Sequence, residues 1–125
     1  RNVRLLGQFR HGAKGYLWEL PAGKIDNKEP PLDTARRELT EEAGVSAATW
    51  EGLGEYVGSP GVFTEVVHLF LATKLQHATR GHEEHEVIEV HWKPLSEAVR
   101  MAERNEIRDG KSLVGIFRAA AHLGL

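Results

Sequence analysis

Three glutamates lie close together in the sequence, and their spacing could support metal chemistry. Glu38 and Glu42 are four residues apart, and Glu41 follows Glu38 by three. On a helix, residues three and four apart share one face, so the three carboxylates would lie near one another. Carboxylate oxygens are the ligands that Mg²⁺ and Mn²⁺ prefer, and Mg²⁺ held by few of them keeps positions open for phosphate oxygens. A bound cation would also cancel the repulsion between the three charges.

The alternative interpretation is a solvated acidic face with ordinary ion pairs. Arg37 precedes Glu41 by four residues, so the two side chains can pair across one helical turn. On a generic helix, a charge cluster of this kind more often lies in solvent than in a functional site. The spacing of the wider stretch around the cluster favours function instead.

The stretch GKIDNKEPPLDTARRELTEEAGV, residues 23–45, resembles the signature of the Nudix hydrolase family at every defined position. The matching residues are Gly23, Glu29, Arg37, Glu38, Leu39, Glu41, Glu42, Gly44 and Val45. This resemblance implies an α/β fold, namely an α/β/α sandwich with a mixed sheet and a loop–helix–loop catalytic motif. It also implies hydrolysis of a nucleoside diphosphate linked to another group, with Mg²⁺ or Mn²⁺ as the cofactor.

The resemblance also implies a role for each charged residue of the signature. Glu38 and Glu42 would be the main metal ligands, and Glu41 would be a further ligand or would position a water molecule. Glu29 and Arg37 would mainly orient the loop and the helix.

Flanking segments resemble the ADP-ribose pyrophosphatase branch of that family. They are LGQFRHG…GYLWELPAGKID before and within the signature, and SPGVFTEVVHLFLA and HEEHEVIEVHW after it. By the same resemblance, the Ala22 carbonyl would be a backbone metal ligand. An acidic loop would deliver Glu86, or as second choice Glu84, as a general base or one more ligand. The alternative for these two glutamates is an exposed charged loop.

The same branch suggests where a substrate would bind. Pro60 and Gly61 belong to the SPG loop, and Glu65 would contact a ribose hydroxyl. Arg10 could bind phosphates bidentately, although an ordinary surface arginine at a strand end is an equal alternative. The resemblance implies metal-dependent hydrolysis of a small nucleotide sugar, ADP-ribose, to AMP and ribose 5-phosphate.

The elements that must position these residues follow from periodicity and from turn residues. Pro30-Pro31 can open a helix, residues 32–43 carry one apolar stripe, and Gly44 can end the helix. Strands are predicted at 3–9, 16–20, 51–57, 65–75 and 87–92, and further helices at 95–105 and 111–123.

Length, charge and composition limit the class of protein. The 125 residues fit a single domain, residues 1–125, with a core of its own. A net charge of −2 gives no reason to expect nucleic acid or an anionic membrane as partner, and the absence of cysteine is compatible with a cytoplasmic location. The chain begins inside a predicted strand, so we expect the branch's preceding N-terminal strands to be missing. The resemblance to the branch, whose members exchange those strands between subunits, implies a homodimer, although the residues of this chain do not include the exchanged strands.

Other patterns are weaker, and other functions stay open. The GKS tripeptide at 110–112 lacks the earlier glycine of a phosphate loop, and three loop histidines, His77, His82 and His85, are more often solvated than zinc-bound. The alternative substrates are other nucleotide sugars, dinucleoside polyphosphates and nucleoside triphosphates. A non-catalytic Nudix module that senses nucleotides is the third hypothesis.

Overall fold

Five strands and three α-helices make up the part of the chain that the computed structural model describes, residues 2–10, 15–25, 28–58, 65–78 and 88–125. The strands are β1 (Asn2–Arg10), β2 (Gly15–Glu19), β3 (Val45–Gly58), β4 (Glu65–His77) and β5 (Ile88–Pro94). The helices are α1 (Pro31–Glu38), α2 (Leu95–Glu103) and α3 (Gly110–His122). One π-helical turn, Leu39–Ala43, directly continues α1.

The strands form two antiparallel units. One sheet has the order β2-β1-β5, and β3 pairs with β4 in a long two-stranded unit that runs from the Val45–His77 pair to the Gly58–Glu65 pair. Helix α3 contacts β3 and β4, α1 contacts β4, and α2 packs against α3 and β5. The α/β layering predicted from the sequence is therefore confirmed. The described strand pairs are all antiparallel, so none of them supplies the parallel pairing that a mixed sheet implies.

The main core lies between α2 and α3. Leu95 and Ala98 from α2 meet Ile116 from α3, with Ile107 from the connection buried beside them. Trp18 at the end of β2 packs against this cluster from outside. The core thus joins the two C-terminal helices to β2, the strand that leads into residues 20–25, which we call the signature loop.

The helix that carries the glutamates begins and ends where the sequence predicts. Pro31 occupies its first turn, where a missing N–H costs nothing, and Gly44 ends the π-helical turn with a φ of +69°. Gly44 also donates its N–H to the Thr40 carbonyl. The last five residues of the predicted helix 32–43 form a wider π turn instead of continuing the α-helix.

Strand β3 is longer than its prediction and contains a bulge. It begins at Val45 instead of Glu51, and its register with β4 shifts between Gly52 and Glu55. Gly54 has a φ of +84° there, a conformation that favours glycine. Arg118 of α3 donates to the carbonyls of Leu53 and Glu55 at 3.0 and 3.1 Å, so the bulge is fixed to the helix. No described helix is long and apolar enough to cross a membrane.

Two adjacent residues of α3 test the position of the core. Ile116→Ala should lower the free energy of unfolding by about 2–5 kcal/mol, because a fully buried side chain is truncated. Phe117→Ala, a larger truncation at a side chain that is 42% exposed, should cost clearly less. Urea unfolding followed by circular dichroism measures both values. If Phe117→Ala lowers the free energy of unfolding as much as Ile116→Ala or more, Ile116 does not lie on the core face of α3.

Candidate functional site

The loop after β2 meets the last residue of α1 at unusually close range. A Cβ built at Gly23 would overlap the side-chain carboxylate of Glu38, well inside van der Waals contact. Gly23 therefore lets the loop backbone lie directly against the acidic end of that side chain. This close approach gives a physical reason for a glycine at the first position of the signature.

A second carboxylate contacts the same loop. The Ala22 N–H donates to Oε2 of Glu42 at 3.0 Å. Glu38 and Glu42 thus lie on consecutive residues of the loop, one against Gly23 and the other against Ala22. The sequence-predicted pair of glutamates and the predicted backbone ligand are brought together in one place.

Arg37 connects the helix to the loop that precedes it. It donates to Oε1 of Glu29 at 2.5 Å and to Oε1 of Glu38 at 3.0 Å. Glu29 also accepts from the buried Thr34 hydroxyl at 2.7 Å. The Arg37–Glu41 pair predicted from the i, i+4 spacing is present at 3.9 Å, longer than the two hydrogen bonds. Arg37 therefore orients Glu29 and Glu38 more closely than it orients Glu41.

Burial and neighbouring charges disfavour the ionised form of Glu38. Burial raises the pKa of Glu38, and the nearby charge of Glu41 raises this pKa further. Arg37 and a hydrogen bond with Glu42 act in the opposite direction without cancelling the rise. The hydrogen bond from Arg37 to Glu29 raises the pKa of the guanidinium, so Arg37 stays charged. The site thus holds more negative charge than its own arginine neutralises.

The atoms that these side chains offer are of the kind that a hard divalent cation binds. The carboxylates of Glu38 and Glu42 supply oxygen, which is the ligand atom of Mg²⁺ and Mn²⁺, whereas the contact of Ala22 with Glu42 is made by its N–H. Within the described ranges, no three acidic or histidine side chains converge as a ready ligand set. Arg37 and the Ala22 N–H occupy oxygens of these carboxylates, and a cation would compete with those donors for them.

A cavity of about 1130 Å³ opens beside the two glutamates. Glu38 and Glu42 line it together with Glu19, Glu65 and Lys111. Glu65, the predicted ribose contact, is the exposed first residue of β4. The cavity is large enough for a nucleotide-sized ligand.

Glu19 is a wall residue that sequence reasoning missed. Its side chain is buried, with 6% of the residue exposed, and its Oε2 lies 3.8 Å from Nζ of Lys111. A carboxylate is almost never buried unless it is paired. In the sequence Glu19 reads only as the polar member of an alternating strand, and no local pattern signals its burial.

Several predicted site residues lie outside the described residues. These are Pro60, Gly61, Glu84 and Glu86, and the histidines His82 and His85 lie outside as well. Arg10 is the last residue of β1, and the described side chains do not include it. Their roles stay predictions.

Comparisons with known proteins show the family of this chain. The sequence profile of the NUDIX domain matches residues 1–114, and the chain belongs to the Nudix family. It is 39% identical over 123 residues to the ADP-ribose pyrophosphatase of Mycobacterium tuberculosis strain ATCC 25618 / H37Rv, covering 96% of this chain and 59% of that protein. It is 42% identical over 123 residues to the GDP-mannose pyrophosphatase of Klebsiella pneumoniae subsp. pneumoniae strain ATCC 700721 / MGH 78578, covering 91% and 62%. The chain therefore spans about three fifths of the length of these relatives.

A solved structure shares the fold. The crystal structure of an ADP compounds hydrolase superposes with a TM-score of 0.88 at 22% identity, covering 98% of this chain and 66% of that one. The predicted Nudix-type α/β/α fold is confirmed.

Gly23→Ala tests the contact between the loop and Glu38. The added methyl group needs the space of the Glu38 carboxylate, so the carboxylate must move while the fold persists. We expect the affinity for Mn²⁺, measured by electron paramagnetic resonance without substrate, to fall by about tenfold or more. Gly52→Ala is the matched control, because a Cβ there meets nothing within 4 Å. Equal Mn²⁺ affinity in the two variants would contradict the close approach.

Proposed function

We propose that this Nudix domain hydrolyses the pyrophosphate bond of ADP-ribose in a reaction that depends on Mg²⁺ or Mn²⁺. Water is added across one P–O–P link, and the products are AMP and ribose 5-phosphate. The observation that carries the proposal is the convergence of Glu38 and Glu42 on the Ala22–Gly23 loop at the edge of a nucleotide-sized cavity. The 39% identity to an ADP-ribose pyrophosphatase supports the choice of substrate.

The residues of this chain would bind the cation through Glu38, Glu42 and the Ala22 carbonyl, with Glu41 as a further ligand or a group that positions water. When bound, the cation would neutralise the diphosphate and make a water molecule more acidic. Glu86, or Glu84 as second choice, would accept the proton of the attacking water or act as a ligand.

The organic parts of the substrate would contact other residues. Arg10 would hold phosphate oxygens through its planar fork of N–H groups. Glu65 would accept a hydrogen bond from a ribose hydroxyl, and Pro60 with Gly61 would form the adjoining wall. The position of Glu65 on the lining of the same cavity as Glu38 supports this assignment.

Arg37 would orient the carboxylates instead of touching the reacting atoms. Its hydrogen bonds to Glu29 and Glu38 fix the rotamer of each carboxylate before a cation arrives. A cation would displace the bond to Glu38, so the lasting role of Arg37 would be to hold Glu29 and the loop against the helix.

GDP-mannose is the second candidate substrate. It is supported by the 42% identity to a GDP-mannose pyrophosphatase. The two compounds share a nucleoside diphosphate linked to a sugar, so the metal-binding end of the site would serve both. Dinucleoside polyphosphates, nucleoside triphosphates and a purely sensing role are the remaining alternatives.

The proposal also includes the state of the protein in the cell. We propose that it is a homodimer in the cytoplasm and that it does not bind nucleic acid or a membrane.

Glu38→Gln tests the catalytic claim. Glutamine keeps the size of the side chain but removes the charge that would hold the cation, so kcat should fall by at least about a thousandfold while the thermal midpoint changes little. Glu103→Gln, at an exposed position in α2, is the matched control and should keep full activity. Hydrolysis of ADP-ribose that survives in Glu38→Gln would refute the assignment.

A substrate panel tests the choice of nucleotide sugar. ADP-ribose, GDP-mannose, a diadenosine polyphosphate and a nucleoside triphosphate are each incubated with Mg²⁺, and the products are separated by anion-exchange chromatography. ADP-ribose should give the highest kcat/KM, with AMP and ribose 5-phosphate in equal amounts. A higher value for GDP-mannose would transfer the proposal to that sugar, and binding of all four without any product would indicate a sensor.

A further inference from the structure

The GKS tripeptide, which is not a phosphate loop, contains a buried polar contact to the signature loop. Ser112 is fully buried. Its Oγ accepts the Leu20 N–H at 2.8 Å across 92 positions of the sequence. The Ser112 hydroxyl and N–H both donate to Oδ2 of Asp109, at 2.6 and 3.1 Å. One serine side chain therefore joins the start of α3 to the end of β2.

The charges around Asp109 fix the direction of these hydrogen bonds. Burial opposes the ionised form of Asp109, but the hydrogen bonds from Ser112 and Lys111 outweigh it and lower the pKa of this carboxyl. An ionised Asp109 can only accept, so the Ser112 hydroxyl donates to it. The lone pairs of the Ser112 oxygen are then available for the Leu20 N–H. Lys111 completes the set at 2.9 Å from Oδ1 of Asp109.

The segment Leu20–Ala22 is short and is hydrogen-bonded at both ends. Leu20 donates to Ser112, and Ala22 donates to Glu42 at 3.0 Å. Pro21 between them has no N–H and a restricted φ, so the path of the backbone follows from these two contacts. The next residue, Gly23, is the one that lies against Glu38.

We propose that Ser112, oriented by Asp109, is a positioning residue that holds the Leu20–Gly23 backbone against Glu38 and Glu42 and thereby sets the affinity of the site for a divalent cation. The proposal rests on the metal site of the proposed function. An ordinary helix cap needs only the bond from the Ser112 N–H to Asp109. The hydroxyl bond to Leu20 is additional to that cap, and it is the part that reaches the signature loop.

Ser112→Ala tests the role of the hydroxyl. The Leu20 N–H then loses its acceptor, and the loop is free to move away from the two glutamates. We expect the dissociation constant for Mn²⁺, measured by electron paramagnetic resonance without substrate, to rise by about tenfold. Ser112→Thr retains the hydroxyl and should restore most of the affinity.

Ala120→Gly is the control for a general weakening of α3. Ala120 is buried in the same helix, so Ala120→Gly should lower the thermal midpoint while the Ser112–Leu20 hydrogen bond stays in place. We expect Ala120→Gly to bind Mn²⁺ with the affinity of the wild type. If Ser112→Ala and Ala120→Gly weaken Mn²⁺ binding equally, or if Ser112→Ala leaves it unchanged, the positioning role is refuted.

A second pair of variants keeps the test decisive if Ser112→Ala does not fold. Asp109→Asn and Asp109→Ala both remove the charge that faces Lys111, but only asparagine retains an oxygen that can accept from Ser112. Asp109→Asn should bind Mn²⁺ several-fold more tightly than Asp109→Ala. Equal affinities would overturn the proposal.

Failure of the proposed function is distinguishable from failure of this inference. Mn²⁺ binding is measured without substrate, so an inactive domain whose Mn²⁺ affinity falls in Ser112→Ala would refute the activity and retain the positioning role. Conversely, Ser112→Ala could bind Mn²⁺ with wild-type affinity while Glu38→Gln loses Mn²⁺ binding. That result would support the metal site and refute the positioning role of Ser112.

Discussion

The contact of two carboxylates with one short loop is the constraint on which the rest of the site depends. Glu38 lies against Gly23, and Glu42 accepts the N–H of Ala22. Burial and the nearby charge of Glu41 both raise the energy of keeping Glu38 ionised. A cation bound to Glu38 would relieve both effects, which is why an electrostatically unfavourable cluster can be a functional one.

The surrounding structure serves to hold that loop and that helix together. Arg37 joins α1 to the loop through Glu29, while the α2–α3 core holds the end of β2 from the other side. The Ser112 hydroxyl adds a direct bond to the backbone at Leu20. These contacts come from distant parts of the chain, so the geometry of the site is a property of the whole domain.

The sequence predicts most of the elements, and the proximity of Glu38 and Glu42, because their signals are local. The turn prolines and Gly44 delimit the helix, and the spacing of the glutamates brings Glu38 and Glu42 to the same loop. The π turn has no such signal, since an apolar stripe of four residues fits both helix types. Glu19 and Ser112 could not be found, because their burial follows from contacts between α3 and β2 that no local pattern records.

The most direct test of the central claim is the anomalous scattering of a crystal soaked in Mn²⁺. We expect one strong peak within coordination distance of the carboxylates of Glu38 and Glu42 and of the Ala22 carbonyl, with the Arg37–Glu38 hydrogen bond lengthened or lost. The absence of a peak there at saturating Mn²⁺, or a peak bound only by residues elsewhere, would contradict that claim.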